Sequence, residues 1–124
     1  MNTPDHDCGP ERLNQGKWIL RLEPDPGDRT RSYAHTIGLT WYGLPELVIY
    51  EVPAFARGGA LVLVRNLAQC GLDTGALIPG TTYLVGLDAL QVTVKTDGED
   101  PQRPLHECRR AIRGPYAVLA IEPA

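Results

Sequence analysis

The chain has 124 residues, of which 43% are hydrophobic and 22% are charged, as is ordinary for one soluble globular domain. Its net charge of −3 argues against a dedicated nucleic-acid-binding protein, which would show a basic patch or stripe. No apolar run approaches the roughly 18 residues that a membrane helix needs.

The start of the chain and the cysteines bear on where the protein works. Residues 1–11, MNTPDHDCGPE, are acidic and polar, unlike a secretory signal peptide, so we expect a cytoplasmic protein. Residues 1–15 hold few large apolar groups and are predicted to form a mobile arm, which leaves 16–124 as a single domain. An odd number of cysteines without a secretion signal predicts free thiols in a reducing compartment. The three cysteines are Cys8, Cys70 and Cys108.

Three strands are predicted in the first half of the domain. KWILRLE (17–23) alternates between apolar and charged residues, apart from one isoleucine, as a half-covered strand does. Two prolines and a glycine within 24–31 predict a loop that cannot hold a ladder of strand hydrogen bonds. SYAHTIGLT (32–40) and PELVIYEV (45–52) are then predicted to form a hairpin around a turn at 41–44.

The predicted strand at 32–40 has two different faces, because side chains alternate along a strand. One face carries the larger side chains, Tyr33, His35, Ile37 and Leu39. The other face carries only small residues, so another part of the chain can lie close against it.

Residues 53–71 contain signals for both a helix and a strand. The run ALVLV alone is typical of a strand. Pro53 suits the first position of a helix, and Gly71 suits the position just past a helix end. We therefore predict a helix, whose first turn is weakened by Gly58 and Gly59.

The second half of the chain is predicted to add a hairpin, a short helix and a closing strand. The hairpin joins strands at 82–87 and 90–96, and the last strand is 116–123. A helix at 104–113 would place Leu105, Cys108 and Ile112 on one apolar stripe. The order β-β-β-α-β-β-α-β predicts an α+β domain with two layers, in which two helices cover one face of a mainly antiparallel sheet of about six strands.

The predicted first hairpin carries a recognisable motif, Y-A-H-T-I-G-L-T-x-x-G-L-P-E-L-V at 33–48. It resembles the signature of a bacterial family, domain-of-unknown-function family 4262, and the resemblance extends from about 16 to 122. The resemblance implies a small bacterial cytoplasmic protein without an assigned activity. His35 stands where members of that family usually have tyrosine, and Tyr33 where they usually have phenylalanine or tryptophan.

His35 and Glu46 are the candidates for chemistry within this motif. If 41–44 is the loop, Glu46 lies opposite Leu39 or Thr40, and His35 lies about 13 Å further along the ladder. We therefore expect Glu46 to cap backbone amides at the turn and His35 to be a half-buried residue with a hydrogen-bond partner. The alternative is that both line a ligand cleft, with His35 as the titratable group and Glu46 as an orienting charge.

Aromatic residues at the predicted turn are candidates for binding. Trp41 and Tyr42 lie at the hairpin tip, where exposed aromatic side chains can anchor a protein interface. The alternative is that they pack against a neighbouring loop. The predicted binding residues are Tyr33, His35, Trp41, Tyr42 and Glu46.

Two His-x-Cys pairs, His6 with Cys8 and His106 with Cys108, offer zinc-ligand types. Their spacing argues against a metal site, because residues two apart on a helix do not share a face. A nucleophilic pair of Cys70 with His35 is left open by the sequence. We expect no metal and no cofactor.

The sequence favours a non-enzymatic binding or interaction module, such as an accessory protein of a phage or other mobile element. Its partner would be a protein or a small ligand, and a homodimer is one of the arrangements left open. The alternative is a small enzyme or small-molecule binder with a cleft beside the 32–52 hairpin.

Overall fold

The computed structural model describes residues 18–85, 90–96, 105–112 and 116–123, so the predicted arm at 1–15 lies outside the described residues. Two short 3-10 turns, Leu39–Tyr42 and Ala54–Ala56, accompany the main elements. The strands are β1 (Ile19–Asp25), β2 (Asp28–Ile37), β3 (Glu46–Pro53), β4 (Thr82–Val85), β5 (Leu90–Lys95) and β6 (Val118–Pro123). The helices are α1 (Arg57–Thr74) and α2 (His106–Ala111).

The six strands form one mixed sheet in the order β1-β2-β3-β6-β5-β4. All neighbours run antiparallel except β3 and β6, which are parallel and bridged from Glu46–Val118 to Val48–Ala120. The helix α1 and the β4–β5 hairpin lie between these two strands along the chain, as a parallel pair requires a long connection. The predicted α+β class, with six strands and two helices, is confirmed.

The predicted loop at 24–31 is wrong, because β1 and β2 join through a turn of only two residues, Pro26 and Gly27. Asp25 is paired with Asp28, and the Asp25 Oδ1 atom accepts a hydrogen bond from the Gly27 amide at 2.8 Å. Pro24 lies within β1, which is an edge strand, where a residue without an N–H group is tolerated. Pro24 and Pro26 therefore do not interrupt the hydrogen bonds between β1 and β2, because Pro24 lies in an edge strand and Pro26 lies in the turn.

The two helices pack on opposite faces of the sheet, so the expectation that both cover one face is wrong. Residues of α1 share a core with Ala34 of β2, whereas α2 shares a core with Tyr33 and Ile37. Neighbouring residues of a strand point to opposite faces. The short helix therefore adds a partial third layer to the two expected. The α2-side core consists of Tyr33, Ile37, Val48, Leu105, Cys108, Ile112 and Val118.

The helix predicted at 53–71 is confirmed in kind but is displaced along the chain. It begins at Arg57, after the 3-10 turn, and ends at Thr74. The residue after it is Gly75, whose φ of 85° is the left-handed conformation that suits a glycine. Gly71 lies inside the helix instead of after it. A Cβ atom there would stand 2.7 Å from the Leu77 Cγ atom, so close packing explains this glycine.

The elements predicted for the second half are confirmed where the structure describes them. The β4 and β5 strands pair from Thr82–Thr93 to Val85–Leu90, and β6 lies between β3 and β5. The predicted stripe of Leu105, Cys108 and Ile112 is buried. Among the described residues, every helix is too short or too polar to cross a membrane.

Candidate functional site

The carboxylate of Glu46 is fully buried and accepts five hydrogen bonds. Its Oε1 atom accepts from the Thr36 hydroxyl at 2.7 Å and the Leu39 amide at 3.2 Å. Its Oε2 atom accepts from the Gly38 amide at 3.2 Å, the Thr40 amide at 2.9 Å and the Thr40 hydroxyl at 2.6 Å. These bonds replace the water that a buried charge loses. The predicted cap on the backbone amides of the turn is confirmed.

The polar and small positions of the motif serve this same turn. The Thr36 hydroxyl donates to Glu46 and accepts from the Leu47 amide at 2.9 Å, so it joins the two strands. Gly38 has a φ of 113°, and a Cβ atom there would stand 2.8 Å from the Trp18 Cα atom. The residue types of the motif are therefore explained by the structure of the β2–β3 connection, without a ligand.

His35 is fully buried, and not half-buried as expected. Its Nε2 atom lies 2.6 Å from the Glu23 Oε2 atom, and its Nδ1 atom lies 3.1 Å from the Thr36 carbonyl oxygen. Its ring stacks near Tyr33, with centroids 6.1 Å apart. Each nitrogen faces an oxygen acceptor, so a doubly protonated ring would donate to both. The expected hydrogen-bond partner is therefore found, and it is Glu23.

The predicted register of this hairpin is wrong, although His35 and Glu46 do hold separate positions. The 3-10 turn lengthens the connection, and His35 is paired with Val48. The hydrogen bonds of His35 go to Glu23 and the Thr36 carbonyl, whereas those of Glu46 go to the turn. Thr36 contacts both groups, through its carbonyl and its hydroxyl. His35 and Glu46 are therefore part of one buried polar network, and neither lines the cleft at Tyr42 or the groove at the start of α1.

The two aromatic residues of the tip differ in exposure. Trp41 is 50% exposed, and its ring lies over Gly38, where a Cβ atom would stand 2.9 Å from the ring. Tyr42 is half-buried and packs against the core that α1 shares with Ala34 of β2. It also lines a cleft of about 250 Å³ with Leu44 and Gly71. Only Trp41 therefore offers the exposed aromatic surface that was expected of both.

Of the remaining candidates for chemistry, only Cys70 and Cys108 have side chains that the structure describes. His6 and Cys8 lie outside the described residues, as does the side chain of His106. Cys108 is buried in the α2-side core, and Cys70 is a half-buried free thiol. Within the described ranges, no group of three or more His, Cys, Asp and Glu residues is placed to hold a metal ion.

One cavity among the described residues was not expected in this form. It is an apolar groove of about 620 Å³ between the start of α1 and the carboxyl-terminal ends of β3 and β6, and we call it the α1 groove. Its lining residues are Ile49, Tyr50, Glu51, Val52, Pro53, Ala56, Gly59, Ala60, Leu63, Ala120, Ile121 and Glu122.

Two features of the sequence open the α1 groove. The last bridged pair between β3 and β6 is Val48–Ala120, and the groove lies beyond it. The 3-10 turn presents Ala56 to this space and the first turn of α1 presents Gly59 and Ala60, and these residues are too small to fill it. One turn later, larger apolar residues of α1 enter the core. The run of small residues was the signal in the sequence, and it was interpreted only as a weak helix start.

Glu51 stands at the α1 groove in a strained conformation. Its φ is 60°, and it is the only residue other than glycine with a positive φ among those described. The register shifts by one residue between the pairs Ala34–Ile49 and Ser32–Val52, so β3 contains a bulge around Glu51. The Arg31 Nη1 atom donates to the Glu51 carbonyl at 3.3 Å. Strain and bulges are frequent beside functional sites, so the edge of the groove at Glu51 is a candidate binding site.

Comparisons with protein-family models, with curated proteins and with solved structures each found no match. The resemblance of the hairpin motif to domain-of-unknown-function family 4262 therefore stays a prediction. The candidate site rests on the geometry of this chain alone.

Proposed function

We propose that the protein is a non-enzymatic binding module and that its ligand occupies the α1 groove. The observation that carries this proposal is an apolar cavity of about 620 Å³ at the carboxyl-terminal ends of a parallel strand pair. Small-molecule sites are commonly apolar clefts of roughly 300 to 1,000 Å³. In open sheets with parallel strands, ligands also bind at the carboxyl ends of the strands.

The side chains around the groove support binding more than catalysis. None of the described residues that line it is a histidine, cysteine, serine, threonine or lysine. The two residues first considered for chemistry, His35 and Glu46, are buried, and neither lines the groove. A nucleophile or a general base needs access to a substrate. The groove offers a shaped apolar surface with carboxylates at its rim.

The proposal combines parts of both hypotheses from the sequence. It keeps the non-enzymatic role of the first and the cleft beside the 32–52 hairpin of the second, since residues 49–53 line the groove. Trp41 does not line the groove and belongs to the connection at the other end of β3. A bacterial cytoplasmic role remains part of the proposal through the family resemblance. An accessory role on a phage or other mobile element is a separate part of the hypothesis and does not come from that resemblance.

Two neighbouring glycines of α1 provide a matched test. A Cβ atom at Gly58 or Gly59 would meet no other atom within 4 Å, but only Gly59 lines the groove. Gly59→Leu should fill the groove, whereas Gly58→Leu should leave it open. Both variants should fold at least as stably as the wild type, because leucine favours a helix over glycine by about 0.7 kcal/mol.

The probe for this test is N-phenyl-1-naphthylamine, a neutral dye whose fluorescence rises in apolar sites. We expect a saturable rise with the wild type and with Gly58→Leu, and at least a tenfold weaker affinity with Gly59→Leu. Thermal denaturation of all three proteins checks that they are folded. Equal binding by the two leucine variants would mean that the dye binds elsewhere, and no binding by the wild type would refute the proposal.

A further inference from the structure

Phe55 is the most exposed of the large apolar side chains that the structure describes, at 92%, whereas the others reach at most 67%. Phenylalanine is among the residues that proteins bury most often, although one exposed apolar side chain is not unusual by itself. The position of Phe55 is what makes it notable. Pro53 and Ala56 lie on either side of it along the chain, and both line the α1 groove. Phe55 therefore borders the groove, and its ring does not fill it.

The ring of Phe55 is free to turn towards the groove without giving up contacts in the folded protein. At 92% exposure few protein atoms hold its rotamer, and exposed side chains change rotamer within nanoseconds. Phe55 also lies in the middle of the 3-10 turn Ala54–Ala56. Among the described residues, no side chain caps the start of this turn or the start of α1. The backbone at the mouth of the groove is therefore held less firmly than a capped helix start.

Closure of the ring over a ligand would remove apolar surface from water. Complete burial of a phenylalanine side chain changes an equilibrium constant by about ten- to 150-fold. A ring that covers a ligand with one face buries about half of its surface, which corresponds to about three- to tenfold. The freedom that the ring loses offsets part of this gain. We therefore expect Phe55 to contribute about three- to fivefold to the affinity.

A second copy of the chain is the other occupant that an exposed aromatic side chain suggests. The large apolar side chains exposed at the start of α1 are Phe55 and Val62, which lies two helical turns further along and is 58% exposed. An aromatic side chain buries about 200 Å², and a valine buries less. A stable interface covers about 800 Å² on each partner. The exposed apolar surface here is therefore too small for a dimer and is sufficient to cover a small molecule.

The residues that line the groove also indicate the charge of the ligand. No lysine, arginine or histidine is among the described residues that line it. An anionic ligand would therefore lose water from its charged group without gaining a basic side chain as a partner. We propose that the ligand of the α1 groove is a small uncharged apolar molecule and that the ring of Phe55 closes over it, an inference that rests on the function proposed above.

The chain offers a direct way to observe this ring. Phe55 is its only phenylalanine, so expression with 4-fluorophenylalanine labels this position alone. The fluorine resonance of the full chain is recorded while 4-phenylbutan-1-ol, an uncharged apolar probe, is added. We expect a saturable shift, and a smaller difference between the resonance positions in H₂O and D₂O, because a covered ring is shielded from solvent. The anion 4-phenylbutyrate, which has the same apolar body, should bind about two- to fivefold more weakly.

Two alanine variants measure how much the ring contributes to binding. Phe55→Ala and Leu84→Ala each shorten an exposed apolar side chain, but Leu84 lies in β4, which is separated from the groove by β5. We expect Phe55→Ala to bind N-phenyl-1-naphthylamine about three- to fivefold more weakly than the wild type, and Leu84→Ala to bind it equally well. Thermal denaturation checks that both variants are folded.

The outcomes separate this inference from the proposed function. If the fluorine resonance does not move, or Phe55→Ala binds the dye as the wild type does, while Gly59→Leu weakens binding, the groove is a binding site but the role of Phe55 is wrong. A resonance that moves with protein concentration in the absence of a probe means that the ring packs on a second copy, which overturns the inference. Equal or tighter binding of the butyrate overturns the uncharged class. If neither the dye nor the alcohol binds, the proposed function fails with it.

Discussion

Replacement of Glu46 by glutamine tests the structural role of the buried carboxylate. Glutamine has nearly the same shape but replaces one acceptor oxygen by an NH₂ group, which donates only. If the remaining oxygen takes the Oε2 position, it keeps three bonds, to the Gly38 amide and to the amide and hydroxyl of Thr40. The NH₂ group then faces the Leu39 amide, which loses its acceptor, and the Thr36 hydroxyl, which must become an acceptor.

The loss of stability follows from these contacts. A buried amide without an acceptor costs about 1 to 3 kcal/mol. Three bonds that lose the charge of their acceptor weaken by roughly 0.5 to 1 kcal/mol each, since bonds to charged groups are about twice as strong. We therefore expect the free energy of unfolding to fall by about 4 kcal/mol. For a domain whose total stability is typically 5 to 15 kcal/mol, that is a large part of the whole.

Urea denaturation, followed by far-ultraviolet circular dichroism, measures this difference. The matched control is Glu122→Gln, which removes an exposed carboxylate paired with Lys95 and should cost no more than about 1 kcal/mol. A loss below about 1 kcal/mol in Glu46→Gln would refute the reasoning, because it would mean that the five hydrogen bonds contribute little beyond what water supplies.

Two further predictions concern the backbone and the charges of β2 and β3. Glu51→Gly should raise the free energy of unfolding by about 0.5 to 1 kcal/mol. Glycine removes the strain of a left-handed residue, and this gain is partly offset because glycine gives the unfolded chain more freedom. An unchanged or lower free energy of unfolding in urea denaturation would contradict the strain at this position. Hydrogen bonds from the Thr30 hydroxyl and amide, together with the Arg31 charge, lower the pKa of Asp28 below its ordinary value of 3.8. The ionised Asp28 therefore stabilises the folded state at pH values above its unfolded pKa, and this contribution is lost as pH falls through the lower folded pKa. The melting temperature of Asp28→Asn should accordingly depend less on pH below about 4 than the melting temperature of the wild type does.

Local patterns in the sequence were sufficient to predict most of the elements. Apolar runs bounded by turn signals identified five of the strands closely, and the stripe of Leu105, Cys108 and Ile112 identified α2. The cap formed by Glu46 was also predictable, because a carboxylate directly after a turn has backbone amides within reach. These features depend on residues that are near each other along the chain.

The features that were missed depend on distant parts of the chain. Both faces of β2 are buried, so periodicity could not show that α1 covers Ala34 while α2 covers Tyr33. Pro24 fits β1 only because β1 is an edge strand, which the sequence does not reveal. The α1 groove requires that bridging between β3 and β6 ends at Val48–Ala120. Small residues at 56, 59 and 60 indicate a groove only once it is known that β3 and β6 are no longer bridged beyond this pair.

The position of β6 has a consequence for how the protein is made. It is the last of the described strands along the chain, yet it lies in the middle of the sheet and is the only strand that bridges β3 to β5. While the chain is being synthesised, the β1–β3 strands and the β4–β5 hairpin are therefore two separate units, and the β3 and β5 edges that face β6 are unpaired. The six-stranded sheet can form only when β6 has left the ribosome. Until then, the exposed edges of β3 and β5 are where another chain can pair wrongly, so premature termination before Val118 would leave the edges open to aggregation.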